Sequence, residues 1–355
     1  MRFIHTADLH LSVEVRDYAL SVLAEIGSVA AREQAAAIVL AGDTFDSFPD
    51  AMHLRGEFAR WAEGLPAGME VLVLPGNHEE LGRGANSLGA LSFGSRVRLV
   101  TGIPFELVTI ADTEFLLFPF RAGYLDPSSL HVPPRAASAR VAVMHGTVAG
   151  MAYTGDNSEE DENAFIDPSM FARLNAGYAA LGHLHGARET RDGGTLIVYP
   201  GSARVWRKGE RGARSVCRVE TAAHGATMRR IALASAGEYR EERCAVSLDG
   251  QTVDIDAIAA AWASADMVTV VLTGIVDDEN TVVVAADAIR SAYGRRVRAL
   301  EVRLEVEPVA GIAAHPAAAK FLALLAERGV QDPQLLERAR GLGLSAIAGR
   351  MGGAA

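Results

Sequence analysis

Apolar residues in the first part of the chain fall in short runs that give way, within two residues, to glycine, aspartate or histidine. Arg2–Thr6, Ala37–Ala41, Met69–Leu74, Arg140–Met144 and Tyr178–Leu181 are runs of this kind, and each predicts a strand. Between the first two, Val15–Ala36 is rich in Ala, Glu and Arg and predicts a helix. Phe105–Ile110 and Glu114–Phe120 predict a strand pair around a turn at Ala111–Thr113, and Gly194–Tyr199 and Ser215–Glu220 predict strands that close the sheets. Strands alternating with helical stretches predict a layered α/β or α+β fold.

The pattern changes near Gly237. Cys244–Leu248, Met267–Val276 and Val297–Val306 read as strands, and Val253–Ala263 and Thr281–Tyr293 as helices, which makes a compact β-α-β-α-β unit. After Pro308 the chain turns rich in Ala and Leu, and Pro316–Arg328 and Pro333–Leu342 predict two short amphipathic helices. The expected division is 1–236, 237–308 and 309–355, with the last four residues, Gly352 to Ala355, disordered.

Candidate chemistry lies at the ends of the apolar runs: Asp8-Leu9-His10, Gly42-Asp43, Gly76-Asn77-His78-Glu79, His145-Gly146 and Gly182-His183-Leu184-His185-Gly186. Layered α/β folds build their sites beyond the carboxyl ends of strands, so five such motifs can meet in one crevice. Residues two apart leave a strand end on the same face, which pairs Asp8 with His10 and His183 with His185. The glycines let the backbone turn and come close. Asp, Asn and His donors with no Cys favour Mn, Fe or Zn. These side chains exceed what one ion needs, and Asp43, alone after its glycine, is the natural bridge between two ions about 3.5–4 Å apart. Such a pair activates water and clamps phosphate oxygens, which is the logic of phosphate-ester hydrolysis.

As a set, DxH, GD, GNHE, H and GHxH resemble the calcineurin-like metallophosphoesterase superfamily. The resemblance implies a four-layer α/β/β/α sandwich, followed here by a small α/β capping domain and C-terminal helices. It implies a first ion on Asp8, His10, Asp43 and His185, and a second on Asp43, Asn77, His145 and His183. It places His78 at the scissile phosphate, assisting the leaving group. Some branches of the family carry a His where Asp46 stands; an Asp there either orients His78 or contributes nothing. A narrower resemblance is to SbcD-type DNA repair nucleases. It is carried by His5-Thr6-Ala7-Asp8-Leu9-His10-Leu11, Ala41-Gly42-Asp43-Thr44-Phe45-Asp46, Phe165-Ile166-Asp167-Pro168 and Tyr199-Pro200-Gly201-Ser202. It implies manganese-dependent DNA cleavage, a homodimer, an SbcC-type ATPase partner and a small cap after the nuclease domain. Fe2+ or Zn2+ would also suit the donors.

Composition adds limits. The net charge is −10, which counts against a nucleic-acid substrate, since binders of phosphate backbones are usually basic. Bound cations or a local basic patch would offset it. The densest basic cluster is Arg204, Arg207, Lys208, Arg211 and Arg214 around Trp206. Either it grips a phosphate backbone with Trp206 stacking on a base, or it is a solvated loop. Arg121 either reaches a substrate phosphate or forms a structural ion pair. The acidic run Glu159–Glu162 reads as solvated, His5 as a core or second-layer residue, and His53, His131, His224 and His315 as surface residues. Cys217 and Cys244 have no metal-site spacing and suit a reducing cytosol. No apolar run reaches the length of a membrane span, so a cytoplasmic enzyme is expected. Two further functions stay open beside the nuclease: a phosphomonoesterase or nucleotide phosphodiesterase on the same metal core, and a non-catalytic DNA-end scaffold.

Overall fold

A computed structural model describes residues 1–79, 81, 87–121, 127–151, 165–223, 225–252 and 254–351. The acidic run at 159–162, His224 and the last four residues lie outside the described residues. The chain forms two compact units, Met1–Gly237 and Glu238–Ala355.

The first unit begins with β1 (Arg2–Thr6), α1 (Arg16–Arg32), β2 (Ala37–Ala41), α2 (Phe48–Glu63), β3 (Glu70–Leu74) and β4 (Val97–Leu99). It continues with β5 (Glu106–Ile110), β6 (Thr113–Leu117), β7 (Ala139–His145), the two-residue β8 (Thr147–Val148) and β9 (Phe165–Ile166), and α3 (Ser169–Arg173). It ends with β10 (Tyr178–Gly182), β11 (Arg188–Asp192), β12 (Thr195–Tyr199), β13 (Ser215–Ala222) and β14 (Gly225–Ala232). Among the described residues twelve of these strands form two six-stranded sheets, ordered β14-β13-β1-β2-β3-β4 and β11-β12-β10-β7-β6-β5, while β8 pairs with β9 alone. Parallel pairing runs through β1, β2, β3 and β4 and through β6, β7, β10 and β12.

Period two explains the layering. Ala37, Val39 and Ala41 of β2 pack with Phe115, Val141, Tyr178 and Val198 of the other sheet. Ile38 and Leu40 point the other way, into a core shared with α1 and α2. On the outer face of the second sheet, Ala142, Met144, Ala179 and Leu181 pack with Met170 and Phe171 of α3. The result is an α/β/β/α sandwich whose central strands are buried on both faces, so they read as continuous apolar runs. Phe3 joins the sheets edge-on, with ring centroids 5.3 Å from Phe115 and 5.9 Å from Tyr178. Aromatic pairs of this geometry each contribute about 0.5–1.5 kcal/mol beyond burial.

The strand expectations agree with the structure to within a few residues. The region of α2 had no assignment, although Ala51, Leu54, Phe58 and Ala62 form a buried stripe at helical spacing.

The second unit contains β15 (Tyr239–Ala245), α4 (Ile255–Ala259), β16 (Met267–Val276), α5 (Glu279–Tyr293) and β17 (Ala299–Pro308), with a parallel sheet ordered β15-β16-β17. β15 starts earlier than the apolar run at Cys244–Leu248, because pairing with β16 recruits the charged stretch Arg240–Arg243. The helix expected over 253–263 is reduced to one short turn after Asp254, which adopts φ 64°. Three helices follow, α6 (Val309–Ala313), α7 (Pro316–Glu327) and α8 (Pro333–Met351), and lie in this same unit. Val309, Ile312, Ala318 and Leu344 pack with Leu248 and Ile275. Cys217 and Cys244 are free and buried. Among the described residues no helix is long and apolar enough to cross a membrane.

Candidate metal centre

Each motif stands where a parallel strand ends. Asp8 and His10 follow β1, Asp43 follows β2, Asn77 and His78 follow β3, His145 closes β7, and His183 and His185 follow β10. Asp8, His10 and Asp43 have φ of 52°, 45° and 50°, and His183 has 102°. For a non-glycine residue the left-handed region costs about 1–3 kcal/mol, and it persists where surrounding bonds enforce it. Those bonds are visible: Asp8 N–H donates to Gly42 O at 3.1 Å and His10 N–H to Asp43 O at 3.0 Å. His183 N–H donates to both oxygens of Asp8, at 3.0 and 3.1 Å. Two glycines permit the close approach. A Cβ on Gly42 would overlap the His145 ring, and one on Gly76 would overlap the Asp43 carboxylate.

Hydrogen bonds on the outer side of each ring settle where the inner nitrogens point. His10 Nδ1 donates to Asp46 Oδ1 at 3.1 Å, and His185 Nδ1 donates to Glu210 Oε1 at 2.5 Å. An ionised carboxylate only accepts, so both rings carry a proton on Nδ1 and turn Nε2 inward. The two Nε2 atoms face each other at 3.1 Å. Two bare lone pairs that close repel unless a proton or a cation lies between them. His145 repeats the arrangement: Nδ1 donates to Ala41 O at 2.9 Å, and Nε2 lies 2.8 Å from Asn77 Oδ1 and 3.4 Å from Asp43 Oδ2. His183 Nδ1 lies 3.2 Å from Asn77 Oδ1, while its Nε2 is buried with no hydrogen-bond partner among the described residues. Asp8, His10 and His185 bring ligand atoms within 4.8 Å of one another, as do Asp8, Asp43 and His145, and His10, Asp46 and His78. Inward lone pairs, an orphaned imidazole nitrogen and hard-to-intermediate donors fit divalent cations.

Electrostatics agree with that fit. Burial lifts Asp8 to about 6, although His145 and His185 oppose it. Burial also works to raise Asp43, but the neighbouring imidazoles, His145 foremost, hold it below the usual carboxylate range. Burial works to lower His145, yet the Asp43 and Asp8 carboxylates push it up to about 9. His10 falls to about 4 through burial, and His183 to about 3 through burial and the charge of His145. The carboxylates of Asp43 and Asp8 therefore favour positive charge at this point of the crevice, where a cation would sit.

His78 lies at the rim, with 32% of its side chain exposed. Its backbone N–H donates to Asp43 Oδ1 at 3.0 Å, and its Nδ1 donates to the backbone carbonyl of Asp46 at 3.1 Å. The Asp46 carboxylate is 3.9 Å from that nitrogen and bonds His10 instead, so Asp46 orients His78 through its main chain. Glu79 is buried and accepts from the N–H groups of Thr44 and Phe45, which pins the loop after Asp43.

The calcineurin-like phosphoesterase family model matches residues 1–187. The chain belongs to the calcineurin-like phosphoesterase family. It is accordingly a metal-dependent phosphoesterase of a dinuclear-metal family. It is similar to the SbcD component of the nuclease SbcCD of Bacillus subtilis (strain 168), at 27% identity over 263 residues, covering 62% of this chain and 66% of that protein. The match thus spans just under two thirds of that relative's length. Among solved structures, a novel archaeal phosphodiesterase is 14% identical, covering 65% of this chain and 100% of that one, with a TM-score of 0.37. Purple acid phosphatase PPD1 from yellow lupin (Lupinus luteus) seeds is 12% identical, covering 67% and 52%, with a TM-score of 0.44.

The basic cluster of this phosphoesterase needs correction at Arg204. Its side chain is buried, donating from Nε to Leu9 O at 2.6 Å and from Nη2 to His10 O. It tethers the Asp8–His10 loop and is not presented to a nucleic-acid backbone. Arg214 is likewise buried, donating to Ser202 Oγ at 2.9 Å. Lys208, Arg211 and Arg121 are exposed. Trp206 is half-buried and stacks on His10, with centroids 4.1 Å apart and planes at 12°, and the Arg207 guanidinium lies 5.1 Å from the Trp206 ring centre. Sequence reasoning missed Glu210. Its only signal was a lone carboxylate among arginines, and its contact with His185 exists only in the folded chain.

Proposed function

We propose that the chain is a DNA nuclease of the SbcD type, hydrolysing phosphodiester bonds in DNA repair. One observation carries the reading: the ligand atoms of Asp8, His10 and His185 lie within 4.8 Å of one another, and so do those of Asp8, Asp43 and His145, at the strand ends of a phosphoesterase fold. The likeness to a component of a nuclease supports the choice of DNA. In this proposal Asp8, His10, Asp43 and His185 would hold one ion, and Asp43, Asn77, His145 and His183 would hold the other. A bound pair of divalent cations, Mn2+ by preference and Fe2+ or Zn2+ by donor type, supplies Lewis acidity and a nucleophile from water. Asn77 orients the phosphate, and His78 gives a proton to the leaving oxygen. Lys208, Arg211 and Arg121 hold the flanking backbone. A homodimer and an SbcC-type ATPase are the proposed partners.

The test is Mn2+-dependent shortening of end-labelled linear duplex and single-stranded DNA, run beside Asp8→Ala. Cleavage that needs Mn2+ and disappears in the variant is expected. The net charge of −10 and the burial of Arg204 favour a second reading, a small phosphoester as substrate. Turnover of nucleotide esters with intact DNA would select it.

A further inference from the structure

We infer that Glu210 is a positioning residue of the metal centre: one carboxylate oxygen fixes the tautomer of His185, and the other holds Trp206 as a roof over His10. This rests on the metal-centre reading of the same site. The Glu210 side chain is 7% exposed. Its oxygens divide their work. Oε1 accepts from His185 Nδ1 at 2.5 Å. Oε2 accepts from Trp206 N at 2.7 Å, Arg207 N at 3.3 Å and Ser202 Oγ at 3.5 Å. The turn is thus closed by Oε2, and the bond from Oε1 serves the imidazole.

The consequence at His185 follows from donor count. With a proton fixed on Nδ1, the neutral ring has only Nε2 to offer a cation, and Nε2 is the atom that faces His10. Partners of this kind orient a ligating ring and raise its basicity, and their loss typically costs about 10–100-fold in metal affinity. The consequence at Trp206 is geometric. Its main chain is anchored by Oε2, and its ring lies flat on His10 and edge-on to His185 and His78, at 5.1 and 5.4 Å. One buried carboxylate thereby sets a ligand imidazole and the apolar wall that keeps water off its neighbour. Neither role lies in the motifs that define the family match, since Glu210 falls beyond residue 187.

The test is calorimetric titration of the full chain with MnCl2, comparing wild type, Glu210→Gln and Glu210→Asp. Glutamine keeps the volume but offers one acceptor, so either the turn or His185 loses its bond. Glu210→Gln is expected to weaken one of two Mn2+ sites about 10–100-fold and spare the other. Glu210→Asp, which retains both acceptors, is expected to recover part of the loss. Equal affinities at both sites in wild type and Glu210→Gln would overturn the inference while leaving the metal centre intact. A wild type that takes up no divalent cation would overturn both. Should Glu210→Gln fail to fold, imidazole 1H–15N spectra of the Zn2+-loaded wild type decide. A proton on His185 Nδ1 supports the assignment, and one on Nε2 overturns it.

Discussion

His78 differs from the imidazoles around it by exposure: 32% of its side chain meets solvent, whereas His10, His145, His183 and His185 are buried. The buried rings each have one nitrogen turned inward, and three of them have the other tied to Asp46, Ala41 or Glu210. His78 is tied through Nδ1 to a main-chain carbonyl and touches Asp43 only through its backbone N–H. Removing its ring therefore leaves every inward nitrogen in place. His78→Ala should reduce turnover about 10²–10⁴-fold, the usual range for a lost general acid. Its Mn2+ affinity should stay within a few-fold of wild type. Steady-state kinetics with calorimetry on the same preparation check both halves. A variant that turns over normally would place leaving-group protonation elsewhere.

At the scale of elements, α2 supplies no side chain to the centre, but its first turn braces the loops that do. Ser47 Oγ accepts from Asp50 N at 3.2 Å, and Asp50 Oδ1 accepts from Val13 N at 2.8 Å. The cap therefore links the segment after Asp43 to the segment after His10. Ser47→Ala should cost about 1 kcal/mol, the typical value for a lost N-cap. For a unit of this size that lowers the melting temperature by about 2–4 °C. A thermal melt with no shift would show that Asp50 and Pro49 start the helix without the serine. The same scale explains the misplaced β15. Its ladder with β16 pairs Tyr239 through Ala245 with Met267 through Thr273, so a neighbour's register selects residues that their own polarity does not.

At the scale of the whole first unit, the two sheets are joined by apolar contacts and by buried polar bridges, among them one through His5. His5 of β1 pairs through Nδ1 with Tyr178 Oη at 2.9 Å and through Nε2 with Leu181 O at 3.1 Å, both on β10 of the other sheet. Burial drives its pKa down to about 3. The unfolded chain has the ordinary value near 6.5. Above the unfolded value neither state binds the proton, and the bridge contributes fully. As pH falls from about 6.5 toward 3, the unfolded chain takes up a proton that the folded chain refuses. Stability is then lost at up to about 1.4 kcal/mol per pH unit. Denaturant unfolding at a series of pH values should show this acid slope in wild type and a shallower one in His5→Gln. Parallel slopes would mean that His5 is protonated in both states.

The sequence by itself determined the central strands of the first unit and the polar residues at their ends. A strand buried on both faces must be apolar throughout, and a motif that breaks such a run stands out without any tertiary knowledge. The set from Asp8 to His185 was legible for that reason, as was the mixed α/β layering. Only the folded chain decided the rest. Arg204 and Glu210 are charged residues in one basic stretch, and composition offers no means of telling a solvated head from one buried against carbonyls or an imidazole. Asp46 divides its carboxylate and its carbonyl between two histidines, a choice made by distances between loops 32 and 36 residues apart in sequence. Local patterns record burial along a strand. Hydrogen bonds between distant loops depend on where folding has already placed both partners.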